Sequence, residues 1–208
     1  GGMVSNTAGF IGAASGSTGE VTVTGSGSQW NNSGGLYVGS EGSGTLNVTD
    51  GGVVTSLWAK MGNDGNPGNN VATVAGANSQ WNNSGSLVVK AGALNIQSGG
   101  VVSNTTGHVF GFSYNTNPSS VTVTGNGSRW NNSKDFLMAW APLGVISPEE
   151  FEHLCRGDCD SIILNIEAGG LVTVGGTATI IENSTVNLVD ARFEFGQMTL
   201  ASFNRINA

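Results

Sequence analysis

The chain has 208 residues, of which 34 are Gly, 23 Asn and 23 Ser, and only 10% are charged, well under half the roughly 25% usual in soluble domains. Its 38% hydrophobic share recurs along the whole length, which disfavours disorder. The formal charge of −7 repels phosphate backbones and anionic headgroups, so neither nucleic acid nor a membrane surface is an expected partner.

The chain opens with GGMVSN, a phrase that recurs in altered form further on, so it starts in mid-repeat and is expected to be part of a longer protein. From Val21 runs VTVTGSGSQWNNSG, followed by LYVG and, from Gly44, GTLNVTDGGVVTS. The same order returns with VATVAGANSQWNNSG from Val71 and GALNIQSGGVVSN from Gly92. It returns again with VTVTGNGSRWNNS from Val121 and ILNIEAGGLVTV from Ile163. The first valines are 50 residues apart, and Trp30, Trp81 and Trp130 are 51 and 49 apart. Apolar residues alternate within each copy and are closed off by Gly, Asn or Ser-Gly, which is the pattern of short strands and tight corners. Three strands of about five residues and three turns of about three make a coil of roughly 24 residues, so one copy supplies two coils. The expected fold is all-β, a right-handed parallel β-helix (β-solenoid), in which Val21, Val71 and Val121 share one inward line and the tryptophans another. A four-stranded propeller blade has a similar period, but the copies lack Trp-Asp or kelch-like signatures and are richer in Gly and Asn than blades usually are.

The repeats are expected over residues 1–133 and final coils with a C-terminal cap over 161–208, all in one domain. Between them, 134–160 breaks the pattern, and Trp130 to Gly169 spans 39 residues against 21 and 18 in the earlier copies. Within it SPEEFEHLCRG reads as a short helix with Ser147 as N-cap, Pro148 at the first position, Glu150 completing a capping box and Gly157 at the stop. The stretch is either a lateral insertion or a locally altered frame. As an insertion it should tolerate deletion of residues 137 to 157, because surface loops cost only slowly growing entropy. Its longest nearly apolar run, Phe136 to Ile146, has 11 residues and contains Pro142, too short for the roughly 20 that cross a bilayer.

The ordered phrases SQWNNSG, LYVG, GTLNV and GGVV resemble the repeat of bacterial type V secretion (autotransporter) and PEP-CTERM-associated surface proteins. The resemblance implies an exported, non-enzymatic passenger or stalk at the cell surface and carries no catalytic residues or cofactor with it. It leaves open whether export uses a translocating barrel or a sorting signal.

Candidate sites are few. Trp30, Trp81 and Trp130 read first as plugs beside the Asn-Asn turns, and alternatively as a row of platforms on which a glycan or a host surface stacks. Asn47, Asn95 and Asn165 read as an amide ladder along the axis. The seven Asn-x-Ser/Thr sequons follow from composition, and Asp64 in GNDGNPGNN offers one carboxylate where Ca²⁺ needs several oxygens. His153, Cys155, Asp158, Cys159 and Asp160 contain zinc-ligand types, but the C-x₃-C has no second pair, so no metal is expected. Arg156-Gly157-Asp158 between the cysteines spells an adhesion tripeptide. A polysaccharide-cleaving β-helix would need converging carboxylates, yet residues 1–133 hold only seven charges, and aligned copies replace Asp50 with Ser98 and Ala168. Open strand edges at the coil ends would favour self-association.

Overall fold

The computed structural model describes residues 1–63, 69–111, 118–140, 162–181, 184–200 and 205–207, and the regular structure among these is all β-strand. The first coil comprises β1 (Met3–Asn6), β2 (Gly9–Ile11) and β3 (Thr18–Thr24), and the second β4 (Gln29–Asn32), β5 (Gly35–Val38) and β6 (Ser43–Thr49). The third comprises β7 (Val53–Ser56), β8 (Trp58–Met61) and β9 (Asn70–Ala75), and the fourth β10 (Gln80–Asn83), β11 (Ser86–Lys90) and β12 (Gly92–Gln97). The fifth comprises β13 (Val101–Asn104), β14 (Thr106–Gly111) and β15 (Ser120–Thr124), and the sixth β16 (Arg129–Asn132), β17 (Phe136–Trp140) and β18 (Ile162–Glu167). The seventh is β19 (Leu171–Ile180) with β20 (Ser184–Val189), and the eighth β21 (Arg192–Leu200) with β22 (Arg205–Asn207).

Every strand pairs in parallel with its counterparts on adjacent coils, forming three faces. The first two merge into one 14-stranded sheet because β19 turns the corner between them, pairing with β16 through Leu171–Val174 and with β17 through Ala178–Ile180. The third face is an eight-stranded sheet running from β3 to β22. This is the β-solenoid that the 50-residue period implied, with two coils to each copy and the tryptophans on coils two, four and six.

The period-two pattern holds because alternate residues point into the column, where they stack on their counterparts. On the third face Val23, Val48, Val74, Ile96, Val123 and Ile166 form one inward row. The neighbouring row corrects the sequence reading. Val21 and Val121 lie on it as expected, but the residue of coil three in that row is Ala72, and Val71 faces outward. The tryptophan spacing of 51 and 49 already held the true frame, since it places Ala72 and not Val71 opposite Val21.

The recurring Gly-Gly pairs have two separate causes. Gly51, Gly99 and Gly169 turn the corner at φ of +85°, +89° and +84°, in the left-handed region that favours glycine. Gly52, Gly100 and Gly170 need no such φ, but a Cβ on each would lie 2.2 Å from the carbonyl oxygen of Val23, Val74 or Val123 on the previous coil. One glycine bends the chain and the next lets the coils touch.

Residues 136–140 also depart from the expectation. They were grouped with the excursion, yet β17 runs through the column, pairing with β14 on one side and β19 on the other. Met138 is fully buried between Val109 and Ile180, so removing residues 137 to 157 would take out a core strand. In the sequence this strand is masked by the nearly apolar run Phe136 to Ile146 and by the missing Gly-Asn punctuation. Beyond the excursion β18 resumes in phase, with Leu164 on Val121 and Ile166 on Val123. Residues 141–160, including the expected helix, lie outside the described residues. Met138→Ala is expected to lower stability by about 2–5 kcal/mol, as truncations in closed cores do, measured as a shifted urea-unfolding midpoint.

Candidate functional site

The first face carries a row that reads Val4, Trp30, Val54, Trp81, Val102, Trp130, Val172, Phe193, one residue per coil. Trp81 and Trp130 are 0% exposed and Trp30 is 9% exposed. Buried rings offer no face to a sugar, so the stacking reading of Trp30, Trp81 and Trp130 finds no open platform here. They plug the column, alternating with valine. Each of Trp30 and Trp130 leans over a glycine of the preceding coil, where a Cβ on Gly9 or Gly107 would lie 2.6 or 3.0 Å from the ring's Cζ2.

Two residues after each tryptophan, and therefore also pointing inward, stands the second Asn of Trp-Asn-Asn. Asn6, Asn32, Asn83, Asn104 and Asn132 form this inner polar row, with Ser56 in coil three, and the last five of these are buried. Trp30 Nε1 donates to Asn6 Oδ1 at 2.7 Å, and Asn6 Nδ2 donates to Asn32 Oδ1 at 2.6 Å. Trp130 Nε1, Asn104 and Asn132 repeat the arrangement at 2.7 and 2.6 Å. This is the internal amide ladder, and the sequence reading missed it although the Trp-Asn-Asn spacing encodes it. The residues expected to form that ladder, Asn47, Asn95 and Asn165, point outward and alternate with Thr22, Thr73 and Thr122. Among these, Asn165 accepts a direct amide bond from Asn187 Nδ2 at 2.7 Å.

Coil three breaks the inner pattern. Ser56 is too short to reach Trp81 as Asn6 and Asn104 reach their tryptophans, and Ala59 stands where the other copies have Gly9 and Gly107. Trp81 Nε1 is in consequence buried without a hydrogen-bond partner, although Ser56 Oγ still donates to Asn83 Oδ1. The extra methyl and the missing amide occur together at one coil.

The outside of the second face holds a group that sequence reasoning did not single out. Phe10, Tyr37, Lys60, Val88 and His108 follow one another on successive coils. Phe10 is 55% exposed and stacks on Tyr37 with ring centres 4.8 Å apart, and Tyr37 meets Trp58 at 87° and 4.9 Å. Trp58 is paired with Gly35, where an outward Cβ would lie 2.4, 2.6 and 2.8 Å from three carbons of the ring. The ring thus lies flat over bare backbone, one face inward and the other turned away from the column. Two residues along the same strand, Lys60 donates to Asn63 Oδ1 at 3.1 Å. Lys90, only 8% exposed, has its pKa lowered to about 8, first by burial and then by the charge of Lys60. Burial lowers the Lys60 and His108 pKa values as well. Around the corner from Trp58, Leu57 borders a cleft of about 430 Å³ whose other walls are Asn32, Ser33, Thr55, Ser56, Asn82, Asn83 and Ser84.

Among the described residues no group of three or more His, Cys, Asp or Glu gathers as a metal site would. His153, Cys155, Arg156, Gly157, Asp158, Cys159, Asp160 and Asp64 lie outside the described residues.

Comparison with known proteins fits the exported-surface resemblance in part. Over 92 residues, 43% of this chain, the sequence is 34% identical to the adhesin BmaC autotransporter of Brucella suis biovar 1 (strain 1330). Those residues span 3% of that much longer protein. No family model and no solved structure matches the chain.

Two outcomes are expected. Asn104→Ser, which copies the coil-three arrangement beneath Trp130, should cost about 1–3 kcal/mol by orphaning a buried N–H, while Ser56→Asn combined with Ala59→Gly should raise the unfolding midpoint by pairing Trp81. Between pH of about 8 and 10.5 the unfolded chain keeps a proton that folded Lys90 has released, so stability should rise with pH across that window. Thermal melts of Lys90→Met should show a smaller rise, the remainder coming from Lys60.

Proposed function

We propose that this segment is a non-enzymatic structural and adhesive part of an exported bacterial surface protein, a passenger or stalk of the autotransporter or PEP-CTERM-associated kind, working outside the cell. The observation that carries the reading is the uninterrupted parallel stack of two-coil repeats, supported by the stretch of similarity to an adhesin. Each coil advances the column by about 4.8 Å, so repeating the motif lengthens a stiff rod without changing its cross-section. Such a rod holds a contact surface away from the membrane, and its sides present regularly spaced side chains to a glycan or a matrix protein. Arg156-Gly157-Asp158 belongs to this proposal as an integrin-type contact.

For the segment taken by itself, the first coil is the place this proposal assigns to self-association. Its strands pair on one side only, and Met3, Val4 and Phe10 are exposed there beside a hollow of about 400 Å³ lined by Val4, Gly9, Val21 and Trp30. A second copy could continue the ladder at this edge.

The test is attachment of beads carrying the folded segment to host-cell layers and to arrayed matrix proteins. Saturable attachment is expected, with Asp158→Glu reducing any integrin-dependent part. Beads that attach to nothing while the protein stays folded would leave a stalk without adhesive activity. In sedimentation, weight-average mass should rise with concentration and fall back to the monomer for Val4→Lys.

A further inference from the structure

The outer side of the second face combines three kinds of group. Trp58 lies flat over Gly35 with one ring face turned outward, and Tyr37 braces it edge-on. Lys60 projects from the same side of the same strand, two residues away. Across the Leu57 corner the cleft offers amides and hydroxyls at its accessible wall, from Ser33, Thr55, Asn82 and Ser84. A flat aromatic face suits the apolar face of a sugar ring, and closely spaced amides and hydroxyls suit its hydroxyl groups. An ammonium beside such a platform favours a sugar that bears a carboxylate. Because the donors recur coil by coil along the axis, a linear polymer lying along the column can meet several of them at once. The chain as a whole is acidic at −7, so an acidic ligand would be held by local cations rather than by the general field.

We infer that this strip binds an acidic glycan, with a sugar ring on the outer face of Trp58, a uronate carboxylate on Lys60 and hydroxyls in the Asn-Ser-Thr cleft. The inference deepens the adhesive reading by naming a ligand class and a site for it. An acidic peptide would use the lysine but has no need of a flat platform.

Titration calorimetry of the whole segment with alginate oligomers, with a neutral β-linked glucan oligomer of equal length and with polyglutamate tests it. Alginate should bind with the highest affinity and weaken as salt rises. Trp58→Ala should weaken alginate and glucan alike by about tenfold, with Trp58→Phe in between. Lys60→Gln should weaken alginate about threefold and leave glucan unchanged. Circular dichroism and melting of each variant establish that the column is intact, and Trp58→Phe keeps the test valid should Trp58→Ala fail to fold. Alginate binding indifferent to Trp58, or polyglutamate binding as well as alginate, would overturn the inference. Absence of glycan binding with bead attachment intact would overturn this site alone. Glycan binding without attachment to cells would overturn the adhesive reading and leave the site standing.

Discussion

The parallel ladder between consecutive coils constrains everything else in this molecule. Each strand bonds to the same strand one coil earlier and one coil later, so a residue's neighbours along the axis are set by register rather than by sequence proximity. Inward residues must lie over inward residues, and corner must lie over corner. A corner in turn needs a left-handed residue and a second position bare enough for the previous carbonyl, which is why Gly-Gly recurs with each copy.

Within that frame the interior is not uniformly apolar. The alternation of tryptophan with valine lets a large ring lean into the space left by a small residue on the preceding coil, keeping the column at even width. The indole N–H and the buried amides satisfy one another across coils, and this polar row ties the coils into one register, since a slip by one residue would turn each amide out of the column and away from its indole. Coil three shows what happens when one member is replaced. A serine in place of the amide leaves the buried Trp81 N–H unpaired, while its own hydroxyl still donates to Asn83.

Outward positions escape these constraints, and that is where the copies diverge. Position 58 has tryptophan where the corresponding coil of the next copy has Thr106, and position 60 has lysine where that coil has His108. The flat ring, the brace of Tyr37 and the lysine pair arise from substitutions the stack neither requires nor forbids. A repeating rod thereby acquires a surface particular to one segment of its length, which is how a uniform scaffold can serve contact as well as reach.

Much of this was readable from the residues alone. The period, the two coils per copy, the strand character and the shared line of the tryptophans follow from alternation and spacing, because a solenoid repeats its physics whenever it repeats its sequence. Frame and facing were less secure. Val71 was taken for the inward residue that Ala72 is, since a single-residue shift leaves the phrase looking alike while turning each side chain over. Asn47, Asn95 and Asn165 read as a ladder because they recur at one place in the phrase, but recurrence does not say which way a side chain faces. Strand 136–140 was hidden because its corner lacks the usual glycines, and only pairing on both sides shows it to be core. Trp58 lies off the period shared by Trp30, Trp81 and Trp130, but neither composition nor period gives it a role. What distinguishes it is the residue one coil away, Gly35, and that neighbour exists only once the coils have stacked.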